Sequence, residues 1–205
     1  LARGRAVQAV WLLDAADPQQ AEAAARQILA AAGWQLLFSR HRNLLKRALD
    51  VAAADTAHNL LSAAWKLEAC KRPHEAEAIL TGLGVSTDPV VQAITCALRA
   101  SIAHQSDAFE LALTYARQAR ALFGDRPHPA AFLAELIEAA SLLTSGELNE
   151  AEACLSHVSA CAARDRLEFL QLAALHRRAS AAAEADNLEA ALNLITARHS
   201  EALAC

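Results

Sequence analysis

Ser145-Gly146-Glu147-Leu148-Asn149-Glu150-Ala151 is the stretch that decides the fold class. A glycine closes one apolar-periodic run, polar residues turn the chain, and an alanine opens the next run. That is the signature of one helix handing over to another. Related turns occur at Lys71-Arg72-Pro73-His74-Glu75-Ala76, at Gln105-Ser106-Asp107 leading to Ala112, and at Ala185-Asp186-Asn187-Leu188-Glu189-Ala190. The alanines Ala76, Ala112, Ala151 and Ala190 recur at intervals of 36, 39 and 39 residues. Twelve residues before the first three stand Ala64, Ala100 and Ala139. Small residues at a fixed offset predict antiparallel helices crossing closely, with the interval set by one helix and its turn. Apolar Leu83, Ala119, Val158 and Ala197 follow each anchor by seven. In the fourth turn the offset lands on Arg178, beside Ala179, which suggests a shifted or capping-type terminal pair.

Punctuation elsewhere agrees. Asp17-Pro18 and Asp88-Pro89 each give an N-cap with proline at the first helical position, and Asp55 is a further cap. Glycines at 33, 82, 84, 124 and 146 sit where apolar runs end. The expected helices lie near 5–15, 18–32, 34–53, 56–71, 73–83, 89–105, 107–123, 128–145, 147–163, 165–184 and 187–203. Hydrophobic residues make up 55% of the 205, yet aromatics only 4%, so alanine dominates and closely packed helices are favoured over sheets. The reading is an all-α fold, a right-handed array of antiparallel helix pairs. It takes 1–205 as a single helical-repeat domain, with divergent opening helices over 1–54 and four pairs over 55–203.

Net charge is −4 with a pI near 6.1, which disfavours direct contact with nucleic acid. Charges interrupt every apolar stretch before membrane-spanning length. Five cysteines inside helical patterns fit buried thiols in a reducing cytoplasm. The chain starts at Leu1 and contains no methionine, so it is expected to be a piece of a longer polypeptide.

The Ala64…Ala76…Leu83 and Ala139…Ala151…Val158 arrangement resembles the tetratricopeptide repeat. Ala31-Ala32-Gly33-Trp34-Gln35-Leu36-Leu37, then Leu44-Leu45, Ala48-Leu49, Ala64-Trp65 and Glu75-Ala76-Glu77-Ala78-Ile79-Leu80, resembles the start of the helical-repeat region of large MalT-like LuxR-type transcriptional regulators. The resemblance implies a ligand- or partner-binding sensor domain, with nucleotide and DNA sites elsewhere in the full-length protein. ATP would belong to an upstream domain, no cofactor to this segment, and the full-length protein could self-associate. The alternative is a protein-interaction scaffold with no small-molecule ligand.

Walker, Gly-x-Gly-x-x-Gly, Gly-x-Ser-x-Gly, His-Glu-x-x-His and Cys-x-x-Cys motifs are absent from the sequence, and no catalytic pair stands out. Three constellations remain. Cys154, His157 and Cys161 share a helix face and are zinc-ligand types. One straight helix rarely supplies three tetrahedral ligands, so core packing is the preferred reading and no metal is expected. Arg40, Arg42, Lys46 and Arg47 form a basic face that reads as a solvated surface or as a docking face for an acidic partner. The alanine register points Trp65, Glu68, Ser101, His104, Ala140 and Leu143 into a concave face, with His58, Ile94 and Leu133 beside them. Of these, His58, Trp65, Glu68, Ser101 and His104 are the expected contacts for a small effector or a peptide.

Overall fold

Aspartate followed by proline starts a helix because the carboxylate satisfies an orphan N–H and proline has none to lose. The computed structural model, which describes residues 11, 13 and 17–204 (side chains to residue 200), shows this device twice. Asp17 accepts from the Gln19 N–H at 2.9 Å, and Asp88 from the Val90 N–H at 2.8 Å. Among the described residues all regular structure is helical, with no strand. No described helix is long and apolar enough to cross a membrane. The expected helix at 5–15 lies largely outside the described residues; Trp11 and Leu13 are helical. The chain divides into two compact units, Leu1–Val85 and Ser86–Cys205.

In the first unit, α1 (Pro18–Leu37) packs on α2 (Arg42–Val51) and α3 (Thr56–Ala64). A π-helical turn (Trp65–Ala69) continues α3, and α4 (Pro73–Gly82) packs back on it. Helix α1 runs through Gly33, where the sequence suggested a break. The reason is contact rather than capping: a Cβ on Gly33 would sit 2.5 Å from Leu61 Cδ1, so glycine permits α1 and α3 to meet. The chain turns instead at Ser39, whose Oγ donates to the Leu36 carbonyl and accepts from the His41 N–H. Leu37, Leu45, Leu61 and Leu67 fill this unit's core.

The second unit contains α5 (Pro89–Gln105), α6 (Phe109–Phe123), α7 (Pro129–Ser145), α8 (Leu148–Asp165), α9 (Glu168–Glu184) and α10 (Leu188–Ala204). Successive helices pack, and α7 also touches both α5 and α9. Four of the five connections use one turn. Asp107, Gly146, Arg166 and Asp186 each adopt positive φ. The next N–H then reaches a carbonyl five residues back: Ala108 to Ala103, Glu147 to Leu142, Leu167 to Ala162 and Asn187 to Ala182, at 2.8–2.9 Å. This satisfies helix-end carbonyls that would otherwise be orphaned. The α6–α7 connection differs. After Gly124 it runs through Asp125, Arg126 and Pro127 before His128 caps α7.

The anchors Ala64, Ala76, Ala100, Ala112, Ala139 and Ala151 are all fully buried. The fourth anchor is corrected by one residue. Ala191 is buried, and Ala190 is not. Asp186 takes the left-handed turn position, and Ala191 follows it by five residues, as Ala112 follows Asp107 and Ala151 follows Gly146. Its partner twelve residues back is the buried Ala179, so the offset holds without a shift. Ala197 is exposed. Leu188, Leu192 and Ile195 on α10 are exposed as well, so this helix lacks the polar outer face a capping pair requires.

Candidate functional site

Glu135 and Glu138 stand one turn apart on α7 and are only 6% and 3% exposed. Burying a carboxylate is costly unless it is paired and hydrogen-bonded. Each has found its partner on a neighbouring helix. Arg117 Nε donates to Glu138 Oε1 at 3.0 Å, and Arg120 donates to Oε2 at 2.5 Å, both from α6. Arg117 also reaches Glu150 on α8 at 3.6 Å. The hydrogen bond to Glu138 holds the Arg117 guanidinium above its ordinary pKa. Burial pulls Arg120 down, but its bond to Glu138 and the negative charge of Glu138 and Glu135 together leave it raised. Glu135 accepts from His157 Nδ1 on α8, at 2.8 and 3.0 Å to its two oxygens. His157 Nε2 in turn lies 3.3 Å from Cys161 Sγ, and the ring meets Phe132 edge-on at 6.4 Å.

These groups line a cleft of about 690 Å³, bounded by the C-terminal half of α6, the 124–127 loop, the first half of α7 and the second half of α8. Four arginines (117, 120, 126 and 164) line it against three carboxylates (Asp125, Glu135 and Glu138). Arg117 and Arg120 are 51% and 43% exposed, so each guanidinium spends some donors on Glu138 and turns others to solvent. Arg126 is exposed and makes no ion pair among the described residues. The site lies where the tight turn is replaced by the longer 124–128 connection. There His128 stacks on Phe123 at 5.2 Å and accepts the Ala130 N–H on Nδ1 at 3.1 Å.

No family model matches the chain, and no curated protein or solved structure matches it either.

The residues expected from sequence are distributed between the units. In the first unit, His58 bridges α3 to α2 through Nε2 and the Leu49 carbonyl at 3.0 Å. Trp65 opens the π-helical turn, and Glu68 lies 3.7 Å from Lys71. Arg40 and Lys46 are exposed, Arg42 and Arg47 half-buried, and Lys46 pairs with Asp50. In the second unit Ser101 is only 2% exposed, and Ile94, Leu133 and Ala140 are also core residues. His104 is half-buried, tilted on Phe109 at 5.4 Å, with Arg177 3.4 Å from Nε2. Burial, then Arg177, lowers its pKa. No group of three or more candidate ligands gathers around a metal position among the described residues. From the trio, His157 and Cys161 do meet, while Cys154 is buried and its thiol pushed up by burial and by Glu135 and Glu138.

Sequence reasoning passed over Glu135, Glu138, Arg117 and Arg120. Two glutamates inside Pro129–Ser145, the most apolar of the described helices, were the available signal.

Proposed function

We propose that the second unit binds a small anionic ligand, a carboxylate or phosphate, in the cleft between α6, α7 and α8. The observation that carries this is the pair Arg117 and Arg120, both fixed on buried Glu138 with donors left facing the cleft. A guanidinium already locked by a carboxylate loses little freedom on binding, and its remaining N–H groups match an oxyanion in geometry. Arg126, on the loop above, adds a cation with no ion pair of its own among the described residues.

Within this reading the chain is a sensor segment of a MalT-like LuxR-type regulator, and the second unit is a right-handed tetratricopeptide-like stack. The recurring turn and the α5–α7 and α7–α9 contacts support the stack. The residue pattern from Ala31 to Leu80 is the support for the regulator. The scaffold alternative draws on the exposed Leu188, Leu192 and Ile195, an apolar face suited to protein contact.

The test is thermal melting against di- and tricarboxylates, phosphorylated metabolites and neutral analogues of each. A ligand at a hundredfold excess over its Kd adds about 2.7 kcal/mol of stability. Stabilisation by one anionic class and by none of the neutral analogues is expected. Equal effects from every compound at matched ionic strength would refute the proposal.

A further inference from the structure

The hydrogen bonds around His157 have a direction. A carboxylate can only accept, so the contact to Glu135 assigns the donor role to His157 Nδ1–H. In the neutral ring Nε2 is then an acceptor, and the Cys161 thiol 3.3 Å away is the donor that meets it. A thiol beside an imidazole that a buried carboxylate orients is the arrangement that activates a cysteine nucleophile. Phe132 against the ring and the burial of Glu135 fix the orientation. Cys161 is half-buried and lines the same cleft as the arginines.

We propose that Cys161 is a nucleophilic thiol, with His157 as its base and Glu135 as the positioning residue, and that it forms covalent adducts with carboxylate-bearing soft electrophiles drawn into the cleft. With an α,β-unsaturated acid, His157 Nε2 takes the thiol proton and Sγ bonds to the β-carbon. The alkene pair moves to the α-carbon, which receives the proton back from His157. The product is a thioether, and no oxidant is consumed. The selectivity for anions, though not the relay, rests on the cleft binding anions as proposed above.

The chain carries its own references. Cys70 is exposed, and burial pushes up the thiols of Cys96 and Cys154. The experiment is peptide-resolved alkylation at pH 7, with iodoacetate and iodoacetamide in parallel; in both, S–C forms as iodide leaves. Cys161 is expected to react about tenfold faster than Cys70, and to favour iodoacetate relative to Cys70. His157→Gln should return Cys161 to the Cys70 rate. That histidine is 58% exposed, and continued protection of Cys154 reports that the fold is intact. Glu135→Gln should slow Cys161, and Glu135→Asp should restore part of the loss. A Cys161 rate equal to that of Cys70, or a fast rate unaffected by His157→Gln, would overturn the relay. Fast reaction with no preference for iodoacetate would keep the relay and overturn the anion-binding reading.

Discussion

Helix α7 has two kinds of burial, side by side. At Ala139 it presents nothing but a methyl group, and that residue is fully buried. One residue away Glu138, almost as deeply buried, is held by two arginines from α6. The first contact asks only for smallness, and many residues of this chain meet that demand. The second demands particular partners: unpaired, Glu138 would cost several kcal/mol, whereas a hydrophobic residue there would cost little. Burial explains the alanine, and the adjoining cleft is the best account of why a carboxylate is kept where a leucine would fold as well.

The largest expected effect tests that contrast. Removing both Arg117 and Arg120 as alanines strands Glu138 and should destabilise the chain by about 3–5 kcal/mol in denaturant unfolding. Adding Glu138→Leu to that double variant should recover most of the loss. If it recovers nothing, the arginines stabilise through their own packing and the contrast fails. The apolar side gives the next effect. Ala139→Leu should overpack its crossing and cost roughly 1–3 kcal/mol. An unchanged melting temperature there would contradict the register.

That apolar side was legible in the sequence. Small size at a twelve-residue offset is a one-dimensional property, so Ala64, Ala100, Ala112, Ala139 and Ala151 could be picked out and are all fully buried. The slip at Ala190 came from counting polar residues in the turn without knowing that Asp186 takes the left-handed position. Gly33 misled because glycine serves both helix ends and close crossings, and only Leu61 tells them apart. The cleft was illegible for another reason. Glu138 meets its arginines across 18 and 21 residues and Glu135 meets His157 across 22, on different helices. A search for catalytic or ligand sets along one helix finds His157 and Cys161 but not the carboxylate that orients them.

A smaller effect comes from the connection that sets the cleft apart. Burial lowers the pKa of His128 from 6.5 to about 4, and its Nδ1 must stay unprotonated to accept the Ala130 N–H. Between those values the unfolded chain binds a proton that the folded chain refuses. Stability contributed by His128 is therefore complete above pH 6.5 and lost as pH falls towards 4. Allowing for partial exposure, the loss is about 1–2 kcal/mol. His128→Asn keeps a capping side chain and should flatten that part of the pH–stability curve. Identical curves for the two proteins would show that the loop is not held by this cap. The smallest expected effect is none: a chelator should leave the melting curve in place, because His157 is committed to Glu135 and Cys161. A stoichiometric zinc in the purified protein would contradict that.

The most direct test of the central claim uses the one arginine of the cleft that has no ion pair among the described residues. Arg126 is exposed on the loop, so Arg126→Glu should leave the melting temperature nearly unchanged. Calorimetric titration of the most stabilising anion from the melting panel, into both proteins at low salt, isolates what the cleft does. The account predicts affinity lower by about tenfold or more in the variant, since a cation becomes a like charge beside the ligand. Equal affinity in the two proteins would mean that the anion binds elsewhere, and that the arginines over Glu138 serve only to hold the helices together.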